Sequence, residues 1–262
     1  MPVPPSAPRE VPTASSVLVE ACVDSVAGAL AAVAGGAGRL ELCSGLFEGG
    51  LTPSAGLLAA VRERIAVPVH VLIRPRGGDF LYDAGEMAVM LHDIAEARRL
   101  GADGAVLGVL AGDGRVDAER TRVLVDAARP MSVTFHRAFD LTQDPALALD
   151  ALIALGVERV LTSGQAENAD VGIPVIAGLV ERAAGRIAVL AGGGICEDNA
   201  SRIVRNTGVR EIHVRGSRAM ESAMTFRRPG VFMGKRYEPD EYRRVDTDAA
   251  RVRAIVAAAG GR

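Results

Sequence analysis

At 262 residues the chain is long enough for one large core or two small ones. Its formal net charge of −2, from near-equal acidic and basic counts, offers no basic face for nucleic acid or an anionic membrane surface. Aromatic residues make up 3 % and tryptophan is absent, so few rings exist to stack bases or sugars.

Three cysteines, Cys22, Cys43 and Cys196, are too sparse and odd a set for a secreted disulfide framework. The opening MPVPPSAPREVPTASS lacks the basic-then-apolar order of a signal peptide, and no run approaches the roughly 20 apolar residues of a membrane span. The expectation is a cytoplasmic protein with reduced thiols.

In chain order, residues 1–16 are rich in Pro, Ser and Ala and are expected to form a disordered tail. A single domain is expected over 17–262. Short apolar runs follow at 17–23, 39–43, 69–74, 103–109, 131–136, 158–162, 186–191 and 210–215, each reading as a buried parallel strand. The segments between them, such as SAGLLAAVRERI and PALALDALIALG, carry helical periodicity, and several end on Gly. Eight units of roughly 30 residues match βαβ spacing and the length of a (β/α)₈ barrel. A doubly wound sheet is the alternative, although its first strand normally leads into a Gly-rich turn and here leads into EACVDS. Residues 216–247 break the rhythm as a long connection suited to a lid or a subunit contact.

Side chains two apart on a strand share a face. Glu20 with Cys22, Glu41 with Cys43, and Thr134 with His136 therefore point one way. Val19, Ala21, Leu40, Leu42, Val133 and Phe135 point the other way, toward the helices. The polar set is expected inside the barrel near its mouth, where ligands of parallel α/β folds bind. Buried carboxylates need partners, and Arg74 is the expected one for Glu20 and Glu41, with His136 second. The pair serves equally as a structural ion network or as part of a site. Cys22 and Cys43 lie on neighbouring strands ~4.8 Å apart, a spacing that can bring two soft ligands together or leave them as small hydrophobes.

RPRGGDF after the third strand and HRAFD after the fifth bring Arg74, Arg76, Asp79, His136, Arg137 and Asp140 to the mouth. Arg137 and Asp140 read equally well as a loop-fixing salt bridge. Gly193 and Gly194 close the seventh strand, and Gly216 and Ser217 the eighth, where barrels often hold anions on backbone N–H groups. His70, early on its strand, and His92, in a helical stretch, read as structural. Cys196 has no visible partner. No nucleophile elbow, Walker loop or zincin motif is present.

The stretches RLELCSGLFEGGLTPS, IRPRGGDFLY, VTFHRAFD and RVLTSGQ, with the opening VEACVDSVAGA, closely resemble the signature stretches of the CutC family from about residue 17 to 233. The resemblance implies a TIM barrel and a cytoplasmic, oligomeric protein of copper homeostasis that binds copper. It also implies that Cys22 and Cys43, which fall on the family's motif cysteines, ligate Cu(I).

Two functions follow. One is Cu(I) binding through Cys22 and Cys43. The other is an enzyme acting on a small anionic or phosphorylated metabolite. In that reading Arg76, Gly193, Gly194, Gly216 and Ser217 hold the anion, Arg74 orients the substrate, and His136 with Glu20 or Glu41 moves protons.

Overall fold

The computed structural model describes residues 17–231 and 241–260, so the expected tail at 1–16 lies outside the described residues. Eight parallel strands close into a barrel in sequence order. They are β1 (Leu18–Val23), β2 (Arg39–Leu42), β3 (Val69–Leu72), β4 (Gly104–Leu107), β5 (Ser132–Phe135), β6 (Arg159–Thr162), β7 (Ala188–Gly192) and β8 (Glu211–Val214). Closure comes from β1, which pairs with both β2 and β8. The crossovers carry α1 (Val26–Ala34), α2 (Ala55–Arg62), α3 (Ala84–Arg99), α4 (Ala118–Ala128), α5 (Pro145–Ala154), α6 (Ile173–Ala183) and α7 (Ala200–Thr207), and α8 (Ala249–Ala259) completes the ring. This is the expected (β/α)₈ barrel.

Local chemistry starts the helices where the sequence places them. Ser25, Ser54, Asp83, Asp117, Asp144 and Asp248 each accept a hydrogen bond from a first-turn N–H that has no partner within its own helix. On α3 this becomes a reciprocal capping box between Asp83 and Glu86. Among the described residues no helix is long and apolar enough to cross a membrane.

The strand parity sorts the two cores. Val19, Ala21, Leu40, Leu42, Val133 and Phe135 belong to the large core between barrel and helices. Cys22, Cys43, Leu72 and Val106 form a separate apolar cluster inside the barrel. The described part of the connection after β8 carries strands that its weak periodicity does not suggest. It opens and closes as an antiparallel pair, β9 (Ser217–Glu221) with β10 (Arg243–Thr247), in a register that sets Ser217 opposite Thr247.

Candidate metal centre

The floor of the site is an ion network inside the barrel. The register places Arg39 beside Glu20, and its guanidinium binds both Glu20 and, at 2.6 Å, Glu211. Arg159 completes the group at 2.5 Å from Glu211. Glu20, fully buried, also meets His213 Nδ1 at 2.7 Å. Burial opposes its ionisation, yet the His213 hydrogen bond and Arg39 hold the Glu20 carboxyl well below the usual carboxylate range. Each buried charge thus has a counter-charge, which is what makes such a floor tolerable.

Arg74 is not the partner of Glu20 or Glu41. Its guanidinium donates instead to the carbonyls of Glu48, Gly50 and Gly78, and so ties the loop after β2 to the loop after β3. The side chain has passed the end of β3, whereas Arg39 enters the barrel at the level of Glu20. His136 also stays apart. It packs on Phe80 with ring centroids 4.8 Å apart, accepts the Ala138 N–H at Nδ1, and leaves Nε2 buried without a partner. Burial, with Arg74 nearby, pushes its imidazole down to about 3. Neither residue hydrogen-bonds or ion-pairs with the two glutamates.

One step toward the mouth from the floor, the two thiols meet. Cys22 Sγ and Cys43 Sγ are 3.5 Å apart. Glu41 Oε1 stands 3.2 Å from Cys43 Sγ and 3.8 Å from Cys22 Sγ. The second Glu41 oxygen is buried with no hydrogen-bond partner, the nearest cationic group being His213 Nδ1 at 4.0 Å. Gly50, with φ +92°, helps to shape this corner: a Cβ there would lie 2.7 Å from Leu72 Cδ2, beside Cys43.

The thiols are electrostatically unlike. The hydrogen bond from Cys43 holds Cys22 down to about 6 against the opposing effect of burial, and His213 beside it adds to the shift. The same bond and burial push Cys43 well above its ordinary value. Burial raises the Glu41 carboxyl to about 8. Burial alone would disfavour charge on His213, but Glu41, Cys22 and Glu20 around it lift the imidazole well above its ordinary value.

The donor set fits a soft cation. Two sulfurs each about 2.3 Å from a tetrahedral ion stand about 3.7 Å apart, close to the spacing found. The unpartnered Glu41 oxygen is a buried acceptor that a cation would satisfy. Cys22, Glu41 and Cys43 place one ligand atom each within 4.8 Å of one another, as do Glu20, Glu41 and His213. Thiolates suit soft ions such as Cu(I) and zinc.

The other expected residues divide into two groups. Gly193, Gly194, Gly216 and Ser217 line one cavity of about 430 Å³ together with Cys22 and His213. Arg76 does not line it. Its guanidinium is bound to Glu86 and Asp79 and donates to the Leu81 carbonyl, so it fixes its own loop. Arg137 and Asp140 form the loop-fixing bridge at 2.7 Å, and Asp140 also accepts from Thr162 Oγ1 and from the N–H groups of Ser163 and Gln165. That network accounts for the TSGQ stretch. His70 is inside the barrel, packed so closely that a Cβ on Gly104 would lie 2.5 Å from its ring. His92 is exposed on α3, and Cys196 is part-exposed on the cavity wall.

Sequence reasoning missed His213, Arg39, Glu211 and Arg159. The signal for two of them was present in EIHV, whose alternation puts Glu211 and His213 on one face of β8.

Comparison with known proteins places the chain in a family. The family model described as the CutC family matches residues 17–218. The copper homeostasis protein cutC homolog of Mus musculus is 50 % identical over 242 residues, covering 92 % of this chain and 89 % of its own. The Homo sapiens homolog is 49 % identical over 246 residues, covering 94 % and 90 %. The crystal structure of a CutC protein from Streptococcus agalactiae aligns with a TM-score of 0.73 at 35 % identity, covering 76 % of this chain and 98 % of that one. With the family model matching residues 17–218 and relatives about 50 % identical over most of the chain, the chain belongs to the CutC family.

Proposed function

We propose that this protein is a cytoplasmic copper homeostasis protein that carries Cu(I) as cargo on Cys22 and Cys43. The observation that carries the reading is the 3.5 Å approach of the two sulfurs beside a buried, unsatisfied Glu41 oxygen. Cys22 reaches the cavity and Cys43 is fully buried behind it, so the ion enters past Cys22 and is held away from water. Glu41 supplies a third donor, and a charge once the bound cation displaces its proton. The relatives' names support copper as the ion.

Copper K-edge absorption of the anaerobically loaded chain tests this. Two sulfur neighbours per copper support the reading, and their absence overturns it. The Glu41→Gln variant should keep both sulfurs and lose affinity.

A further inference from the structure

The cavity at the ends of β7 and β8 holds features that copper binding leaves unused. Apart from the Cys22 thiol, its ionisable lining is cationic: Arg137, Arg215 and Arg251, beside His213. The carboxylates that pair with Arg137 and Arg251, namely Asp140 and Glu197, lie outside the lining. Arg215 is exposed and donates no hydrogen bond to any described group; the Asp24 carboxyl acts on it only through space. Clefts lined by one sign of charge attract the opposite ion.

Backbone donors face the same space. The N–H groups of Gly193 and Gly194 bond to no other described group, while both carbonyls are used, by Ala169 N–H and by Asn199 Nδ2. Gly193 has φ +105°, and a Cβ on it would stand 3.5 Å from the Arg137 guanidinium carbon. The two unpaired backbone donors therefore stand beside a cation, on a backbone whose positive φ favours glycine. At about 430 Å³ the cavity has the size of a small-ligand site.

We infer that this cavity is an anion-binding subsite that takes the phosphate or carboxylate of a small ligand against Gly193, Gly194, Arg137 and Arg215, with the rest of the ligand reaching Cys22. The subsite stands on charge and donors of the metal-free chain, so it neither requires nor predicts copper at the thiols. It differs from a helix-end phosphate site because β8 runs into the β9–β10 hairpin, and arginine supplies the charge that a helix terminus would give.

The test uses the reduced, metal-free full chain and two alkylating agents of similar size, anionic iodoacetate and neutral iodoacetamide, with the modified cysteines mapped by peptide mass. The rate ratio of iodoacetate to iodoacetamide at Cys22 should exceed that of the urea-unfolded chain about tenfold. Inorganic phosphate, succinate or both should protect Cys22 beyond potassium chloride at equal ionic strength. Protection by phosphate alone assigns a phosphorylated ligand; protection by succinate assigns a carboxylate.

Arg215→Glu should lower the ratio about tenfold, and Arg215→Gln part of the way, with the thermal midpoint unchanged because the side chain makes no hydrogen bond. A ratio equal to that of the unfolded chain, protection matched by chloride, or no response to either Arg215 variant overturns the proposal. None of these outcomes bears on Cu(I) affinity, which is measured separately.

Discussion

Glu20 Oε1 lies 2.7 Å from His213 Nδ1, across a ladder in which the two residues are direct partners on β1 and β8. With Nδ1 committed to a carboxylate, the imidazole is fixed in orientation and its positive charge is held beside Cys22. Glu20 is thus a positioning residue at one remove from the thiols. Glu20→Gln is expected to weaken Cu(I) binding by roughly 10–100-fold while Cys22 and Cys43 remain the ligands. A competition titration with copper absorption spectra on the same variant reads both effects, and unchanged affinity would separate His213 from the site.

Removing Arg39 should be costly. It is 4 % exposed and is the only guanidinium bonded to Glu20 among the described residues, so Arg39→Met leaves the buried Glu20 carboxylate with His213 as its one charged partner and is expected to cost about 3–5 kcal/mol. Arg182→Met, which breaks an exposed pair with Asp150, should cost far less, because solvent screens that pair. Urea unfolding of the two variants checks the contrast. Equal losses would mean that His213 alone satisfies the Glu20 carboxylate.

The two thiols should react in order. Cys22 lines the cavity with a pKa held near 6, whereas Cys43 is fully buried and raised. Iodoacetamide should label Cys22 well before Cys43, with a rate that rises through a midpoint near pH 6 rather than near the ordinary thiol value of about 8.5. Peptide mapping after timed quenching gives both numbers. Equal labelling, or a midpoint above 8, would contradict the asymmetry.

His136 sets an acid limit on stability. Burial holds its folded pKa at about 3, below the unfolded value of about 6.5. Between these values the unfolded chain binds the extra proton, so this contribution is complete above about pH 6.5 and falls with pH toward 3. The slope is about 1.4 kcal/mol per pH unit. His70, at about 4, adds a similar slope over a narrower window. His136→Asn keeps an acceptor for the Ala138 N–H and should flatten the fall between pH 6.5 and 5 by roughly 1–2 kcal/mol in urea unfolding. An unchanged pH profile would contradict a buried neutral imidazole.

Much of this was legible in the sequence because the strand period is rigid. Alternation along VEACV and RLELC was enough to place Glu20, Cys22, Glu41 and Cys43 inside a barrel, and the structure puts them there. The partners were not legible in the same way. Arg39 opens its strand, where a charged residue reads as a solvated flank, and only the β1–β2 register brings it beside Glu20. His213 and Glu211 sit nearly 200 residues from Glu20, and closure of the barrel is what joins them. Arg74 and Arg76 were misplaced for the opposite reason. A guanidinium after a strand reads as a ligand-binding group, but here each finds several loop acceptors first.

The most direct measurement is an anaerobic Cu(I) competition titration of the reduced chain against a strong chelator, alongside Cys22→Ser/Cys43→Ser and Cys196→Ser. The account predicts one tightly held copper per chain, retained in Cys196→Ser and lost in the double variant. Weak binding, or affinity that survives removal of both Cys22 and Cys43, would contradict it.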